Sequence, residues 1–191
     1  MLDDKCTTWG FVRPEKMPWL PVAESHEPYQ QGSLDSLCGI YAVANAVTYL
    51  CKLPAREAVG VQLMAGCIEP LEQHAPIRDV LLEGIGDQLM AKVLRQFVAP
   101  TYGISIRRPY YLKMPPLDEC WQTIRQFTAG GGVVLMGDED HWTVIYSVSA
   151  KRMYLLDSCG AQFRTRALYR RRALLGRYLY FMSVDGGMAH G

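Results

Sequence analysis

DHWTVIYSVSAKRMYLLDSCG, residues 140–160, holds two apolar runs separated by a short polar break. The first, HWTVIYSV, is rich in β-branched and aromatic residues and reads as a strand from His141 to Val148. SAKR turns the chain, and Met153 to Leu156 returns it as a second strand. A four-residue loop pairs Val148 with Met153. That register sets Asp157 opposite Val144, three residues from His141. A bulge or a slip in the pairing would close the gap.

Outward from this hairpin, Gly130, Gly131 and Gly132 form a turn, and Val133 to Met136 has the unbroken apolar character of a buried strand. Residues 118–128 carry Trp121, Ile124 and Phe127 at helical spacing. Pro109, Pro115 and Pro116 break the chain before them, and Ile104 and Ile106 alternate with Ser105 and Arg107 as a short strand. Tyr178 to Val184 reads as the last strand. Toward the N-terminus the pattern is helical. Ser36 is placed to cap a helix whose stripe is Ile40, Val43, Val47 and Leu50, and Pro54 stops it. Further helices are expected at 55–66 and 87–98. Residues 1–29, with Pro14, Pro18, Pro21 and Pro28, read as an irregular lead-in lying across the body. A strap over the active cleft, built around Trp19 and Leu20, is the alternative. Helices first and antiparallel strands second is the α+β order, with helices packed against one side of a sheet. No linker divides the chain, so residues 1–191 are expected to form one domain.

Composition agrees with a globular domain: 49% of residues are hydrophobic and 20% are charged. A net charge of +1 gives no general pull toward nucleic acid or membrane. No apolar run reaches the ~18–20 residues of a spanning helix. The opening MLDDKCTTWGFVRPEKMPW lacks the pattern of a secretory signal, so a cytoplasmic location is expected, with signal-independent delivery to another cell left open. Cys6, Cys38, Cys51, Cys67, Cys120 and Cys159 are therefore read as reduced thiols. None stands at zinc-ligand spacing from another Cys or His, and no metal or organic cofactor is expected.

Cys38 falls in the first turn of its helix, where free N–H groups and the helix dipole favour a thiolate. Gly39 follows it and leaves the sulfur open to approach. His141, at a strand mouth behind the acidic run GDED, suits a general base toward that thiol. Asp157, on the neighbouring strand, suits the group that orients the imidazole. Gln31 or Gln30 could aim a side-chain amide at a developing oxyanion, together with the Cys38 N–H. Trp142, beside the base, is expected either to shield the His–Asp bond from water or simply to pack in the core. Arg164, Arg166, Arg170, Arg171, Arg172 and Arg177 form a basic cluster, read as a solvated face, with an acidic partner or nucleic acid as the alternative.

The intervals Gln31–Cys38, Cys38–His141 and His141–Asp157 are seven, 103 and 16 residues. This order resembles the papain-like cysteine peptidase superfamily. QGSLDSLCGIYAVANAV resembles its Gln loop and nucleophile helix, and DHWTVIYSV with YLLDS resembles its His strand and its Asp/Asn strand. The second half is most similar to compact bacterial members, such as bacteriocin-leader-processing peptidases and papain-like effector proteases. The resemblance covers roughly 50 of the 191 residues. It implies a nucleophile helix packed on a C-terminal antiparallel sheet. It also implies a thiolate–imidazolium pair and acyl-enzyme chemistry, with Cys38 as nucleophile, His141 as base and acid, Asp157 as orienter and Gln31 at the oxyanion. The expected partner is a protein or peptide substrate, a ubiquitin-like conjugate or a leader peptide among them. Many relatives place the Gln six residues before the Cys; here Gln31 is seven before and Gln30 eight. The same triad serves glutamine deamidases and acyltransferases, which are the catalytic alternatives. In a non-catalytic binding module, Cys38 and His141 would be core residues.

Overall fold

The computed structural model describes residues 27–113, 115–138, 141–171 and 178–184. The expected lead-in therefore lies, for residues 1–26, outside the described residues, as do Arg172, Arg177 and the side chains of Arg170 and Arg171.

Helix α1, Cys38–Leu50, is apolar on nearly every side. Ile40, Val43, Ala46 and Val47 are completely buried, and the small residues Ala42 and Ala44 let neighbours close in. A helix of this kind belongs inside a fold. Its cap differs from the expected one. Leu37 is the N-cap, and the Ser36 hydroxyl instead donates to Leu82 O at 2.9 Å. The adjacent Asp35 carboxylate accepts the Leu37 N–H at 3.1 Å.

Helix α2 spans Glu57–Glu72, longer than expected, and α3 spans Ile77–Glu83. The expected single helix at 87–98 is three pieces: α4 at Asp87–Val93, a π turn at Leu94–Val98, and α5 at Ala99–Tyr102. Pro100 accounts for the wide turn, because its nitrogen has no hydrogen for the carbonyl four residues back. Gly103, in the left-handed region at φ 61°, ends the run.

Strands β1 (Ile104–Arg107), β2 (Val133–Asp138), β3 (His141–Val148), β4 (Arg152–Leu156), β5 (Phe163–Thr165) and β6 (Leu179–Val184) form one sheet in the order β1-β6-β2-β3-β4-β5. Every neighbouring pair is antiparallel. Helix α6 (Leu117–Ala129) precedes β2, and a short α7 (Arg166–Arg171) follows β5.

The chain is thus α+β, with α1 packed on β3, but the helices do not all lie on one side of the sheet. One face meets α1 and its helical neighbours through Val133, Leu135, Val144, Leu156 and Met182. The other meets α6 and Tyr169 of α7 through Val134, Met136, Ile145, Met153 and Phe181. The reason is legible in β2: VVLM is buried at every position, so each face of the strand needs a cover. Among the described residues, no helix is long and apolar enough to cross a membrane.

Candidate active site

The geometry of the site depends on one extra residue. Val148 pairs with Met153, as the turn length dictates, but the register shifts between Ile145 and Ser147. Tyr146 is the added residue of a β-bulge. Beyond it Ile145 faces Leu155 and Val144 faces Leu156. The apolar pattern demands this step. It puts Ile145, Leu155, Val148 and Met153 together on the α6 side, and Val144 with Leu156 on the α1 side. Continued by one residue, the shifted register sets Asp157 across from Thr143 rather than Val144. Side chains alternate faces along a strand, so this moves Asp157 onto the face that Thr143 shares with His141.

The two side chains meet: His141 Nε2 and Asp157 Oδ2 are 2.9 Å apart. The Asp157 side chain is 1% exposed and that of His141 is 23% exposed, so the acid is enclosed while the imidazole reaches the surface. Asp157 is held by its own turn. Its Oδ1 accepts the Cys159 N–H at 2.9 Å, and its carbonyl accepts the Gly160 N–H at 3.2 Å. Burial by itself pushes this carboxyl up. The hydrogen bond and charge of His141, the neighbouring Thr143 hydroxyl and the Cys159 N–H outweigh burial and leave the pKa lowered.

Cys38 is the first residue of α1 and 8% exposed. Its thiol hydrogen-bonds the His141 imidazole. Burial alone pulls the imidazolium down, but the bonds and charges of Asp157 and Cys38 reverse this and raise His141 to about 9. By contrast, burial pushes the Cys67 and Cys120 thiols up to about 12.

Gln31 and Gln30 are brought to the same region. The Gln31 N–H donates to Ser158 O at 2.9 Å, next in chain to Asp157. Its side-chain Nε2 donates to Asp35 O, and its Oε1 is buried without a hydrogen-bond partner. Gln30 Nε2 donates to Pro28 O at 3.1 Å and to Asp157 O at 3.4 Å.

One expectation about a neighbour changes, and one pair of alternatives narrows. Gly39 is needed for packing rather than for access to sulfur: a Cβ there would lie 2.5 Å from Ile85 Cγ1. Trp142 packs in the α1 cluster and donates its indole N–H to Ile85 O at 2.8 Å, anchoring the loop before α4.

Where it is described, the basic cluster divides between a buried arginine and one at the surface. Arg164 is 7% exposed and pairs with Asp138, the residue opposite His141 in the β2–β3 ladder. Arg166 pairs with Asp118 of α6. Sequence reasoning passed over Asn45, which is completely buried in α1. It accepts the Tyr29 N–H at 2.7 Å and donates to Tyr29 O at 3.3 Å, holding the segment that carries Gln30 and Gln31. An amide in the middle of an apolar helix was the available signal. Cys159 was also passed over; its sulfur lies within 4.8 Å of the His141 and Asp157 ligand atoms.

No family model, no curated protein and no solved structure matches the chain. The functional reading therefore rests on the residues themselves.

Proposed function

We propose that the protein is a thiol hydrolase, a cysteine peptidase that cleaves a peptide or isopeptide bond through an acyl-enzyme intermediate. One observation carries this reading. The thiol of Cys38, at a helix N-terminus, hydrogen-bonds an imidazole whose Nε2 is held by a buried carboxylate. Nucleophile, base and orienter in series are the arrangement that nucleophilic catalysis requires.

In this reading His141 takes the Cys38 proton and becomes an imidazolium stabilised by Asp157. The sulfur attacks the carbonyl carbon, and the C=O electron pair moves onto oxygen. The oxyanion is met by the Cys38 N–H at the start of α1 and by the Gln31 side chain. The Gln31 amide carries two hydrogens, of which Asp35 O takes one. The other is offered to the oxyanion. His141 then gives its proton to the leaving amine. It next takes a proton from water, which attacks the thioester and restores the Cys38 thiol.

A peptidyl electrophile, such as a peptide vinyl sulfone, tests the reading. The expected result is covalent attachment at Cys38 in the wild type and none at Cys51 or Cys159. Attachment should fall by about 10²-fold or more in His141→Ala. Equal attachment at several cysteines, unaffected by His141→Ala, would contradict it. Product analysis with peptide substrates then separates amide cleavage from side-chain deamidation and from acyl transfer to an added amine.

A further inference from the structure

We infer that His141, Asp157 and Cys159 form a binding site for a zinc-class divalent cation, and that its occupancy takes the base away from Cys38. A ring nitrogen of His141, a carboxylate oxygen of Asp157 and Sγ of Cys159 all lie within 4.8 Å of one another. Nitrogen, oxygen and sulfur donors together suit zinc and its borderline neighbours, while calcium and magnesium call for oxygen alone.

The donors are held in place. The Asp157 Oδ1 accepts the Cys159 N–H at 2.9 Å, which turns Oδ2 toward His141. The Gly160 N–H closes the same turn on Asp157 O, and Gly160 takes the positive φ of 84° that the turn needs. Zinc bonds of about 2.0–2.3 Å place tetrahedral ligand atoms roughly 3.3–3.8 Å apart. His141 and Asp157 start at 2.9 Å, so they need to part only slightly. Cys159, at a half-buried position, closes in by rotation of its side chain. The cation replaces the hydrogen between Nε2 and Oδ2 and the thiol hydrogen of Cys159. Both leave as protons to solvent, and no electron changes hands. The fourth position stays open to water.

Cys38 is not among the three donors of this arrangement. The cation breaks the His141–Asp157 bond and, by occupying one ring nitrogen, leaves the remaining ring proton on the other, so the imidazole can no longer accept the proton of Cys38. The regulatory consequence rests on the peptidase reading; the metal site does not.

The test separates the two by using the full chain carrying Cys38→Ala. Cobalt(II) is added and the thiolate-to-cobalt charge-transfer absorption is followed, then displaced with zinc against a competing chelator. The Cys38→Ala chain is expected to show the band, and adding Cys159→Ser to abolish it and weaken zinc binding by about tenfold or more. Cys159→His supplies a nitrogen in place of sulfur, and is expected to lose the band yet keep most of the zinc affinity. Cys51→Ser, a thiol outside the cluster, is expected to change neither. Absence of the band in Cys38→Ala, or its survival in Cys159→Ser, overturns the site. If the site stands but zinc does not slow alkylation of Cys38 in the wild type, reversibly with chelator, the switch is overturned and the site kept.

Discussion

Cys38, His141 and Asp157 are ordinary residues whose placement makes them a unit. The raised His141 pKa has a direct consequence for stability. The imidazolium is held more tightly in the fold than in the unfolded chain, with a pKa of about 9 against 6.5. Its contribution is therefore complete below pH 6.5 and lost as the pH rises through about 9. Asp157 works the other way: its contribution is present above its ordinary value of 3.8 and is lost as the pH falls through its lowered folded value. Denaturant midpoints measured against pH should decline between 6.5 and 9 in the wild type and stay flatter over that window in His141→Ala. An unchanged slope would mean that His141 does not hold its proton in the fold. Gly39 gives a second prediction. A methyl at this position meets Ile85 Cγ1 at 2.5 Å. Gly39→Ala should cost about 1–3 kcal/mol, and trimming Ile85 to Val in the same chain should recover part of it. Thermal unfolding of the two variants measures both.

At the scale of elements, the bulge at Tyr146 joins the strand pattern to the site. Without it, Asp157 would fall opposite Val144 and on the wrong face for His141. Deleting Tyr146 should therefore abolish the thiol-specific reactivity of Cys38, or unfold the hairpin outright. A deletion chain that folds and keeps that reactivity would refute the bulge's role. The hairpin itself was legible in residues 141–157: the strands, the turn and the Val148–Met153 pair all follow from composition and loop length. The bulge's position was not read there, although Ile145 and Val148 sit three apart and must share a face. The other misses have physical causes. The π turn comes from Pro100, and the true N-cap from a competition in which Ser36 found a carbonyl on α3. The cover on both faces comes from the unbroken apolar run of β2. Gln31 comes beside the Asp157 turn through Ser158, yet its amide orientation depends on Asp35 and no spacing rule could supply it.

For the whole molecule, buried polar ties fix how the parts meet. Arg164 and Asp138 are paired between the edge strand β5 and the strand that faces His141, with little water on either. Removing one partner strands the other, so Arg164→Ala should cost about 3–5 kcal/mol, read as a fall in the denaturant midpoint. Arg164→Met together with Asp138→Leu should cost much less, because no charge is left without a partner. Asn45 links α1 to the segment that reaches the Asp157 turn, which makes α1 and the end of β4 parts of one assembly. The chain order of helices then strands was enough to reach the α+β class. It could not show that Arg164 turns inward, because the acid that receives it, Asp138, stands 26 residues away. The central claim is that Cys38 is activated by His141. The most direct test is the rate of iodoacetamide alkylation of each cysteine against pH, followed by mass spectrometry in the wild type and His141→Ala. The account predicts that Cys38 outpaces Cys51 and Cys159 at and below neutral pH, and that this lead vanishes in His141→Ala. A Cys38 that reacts no faster than those thiols, with or without His141, would contradict it.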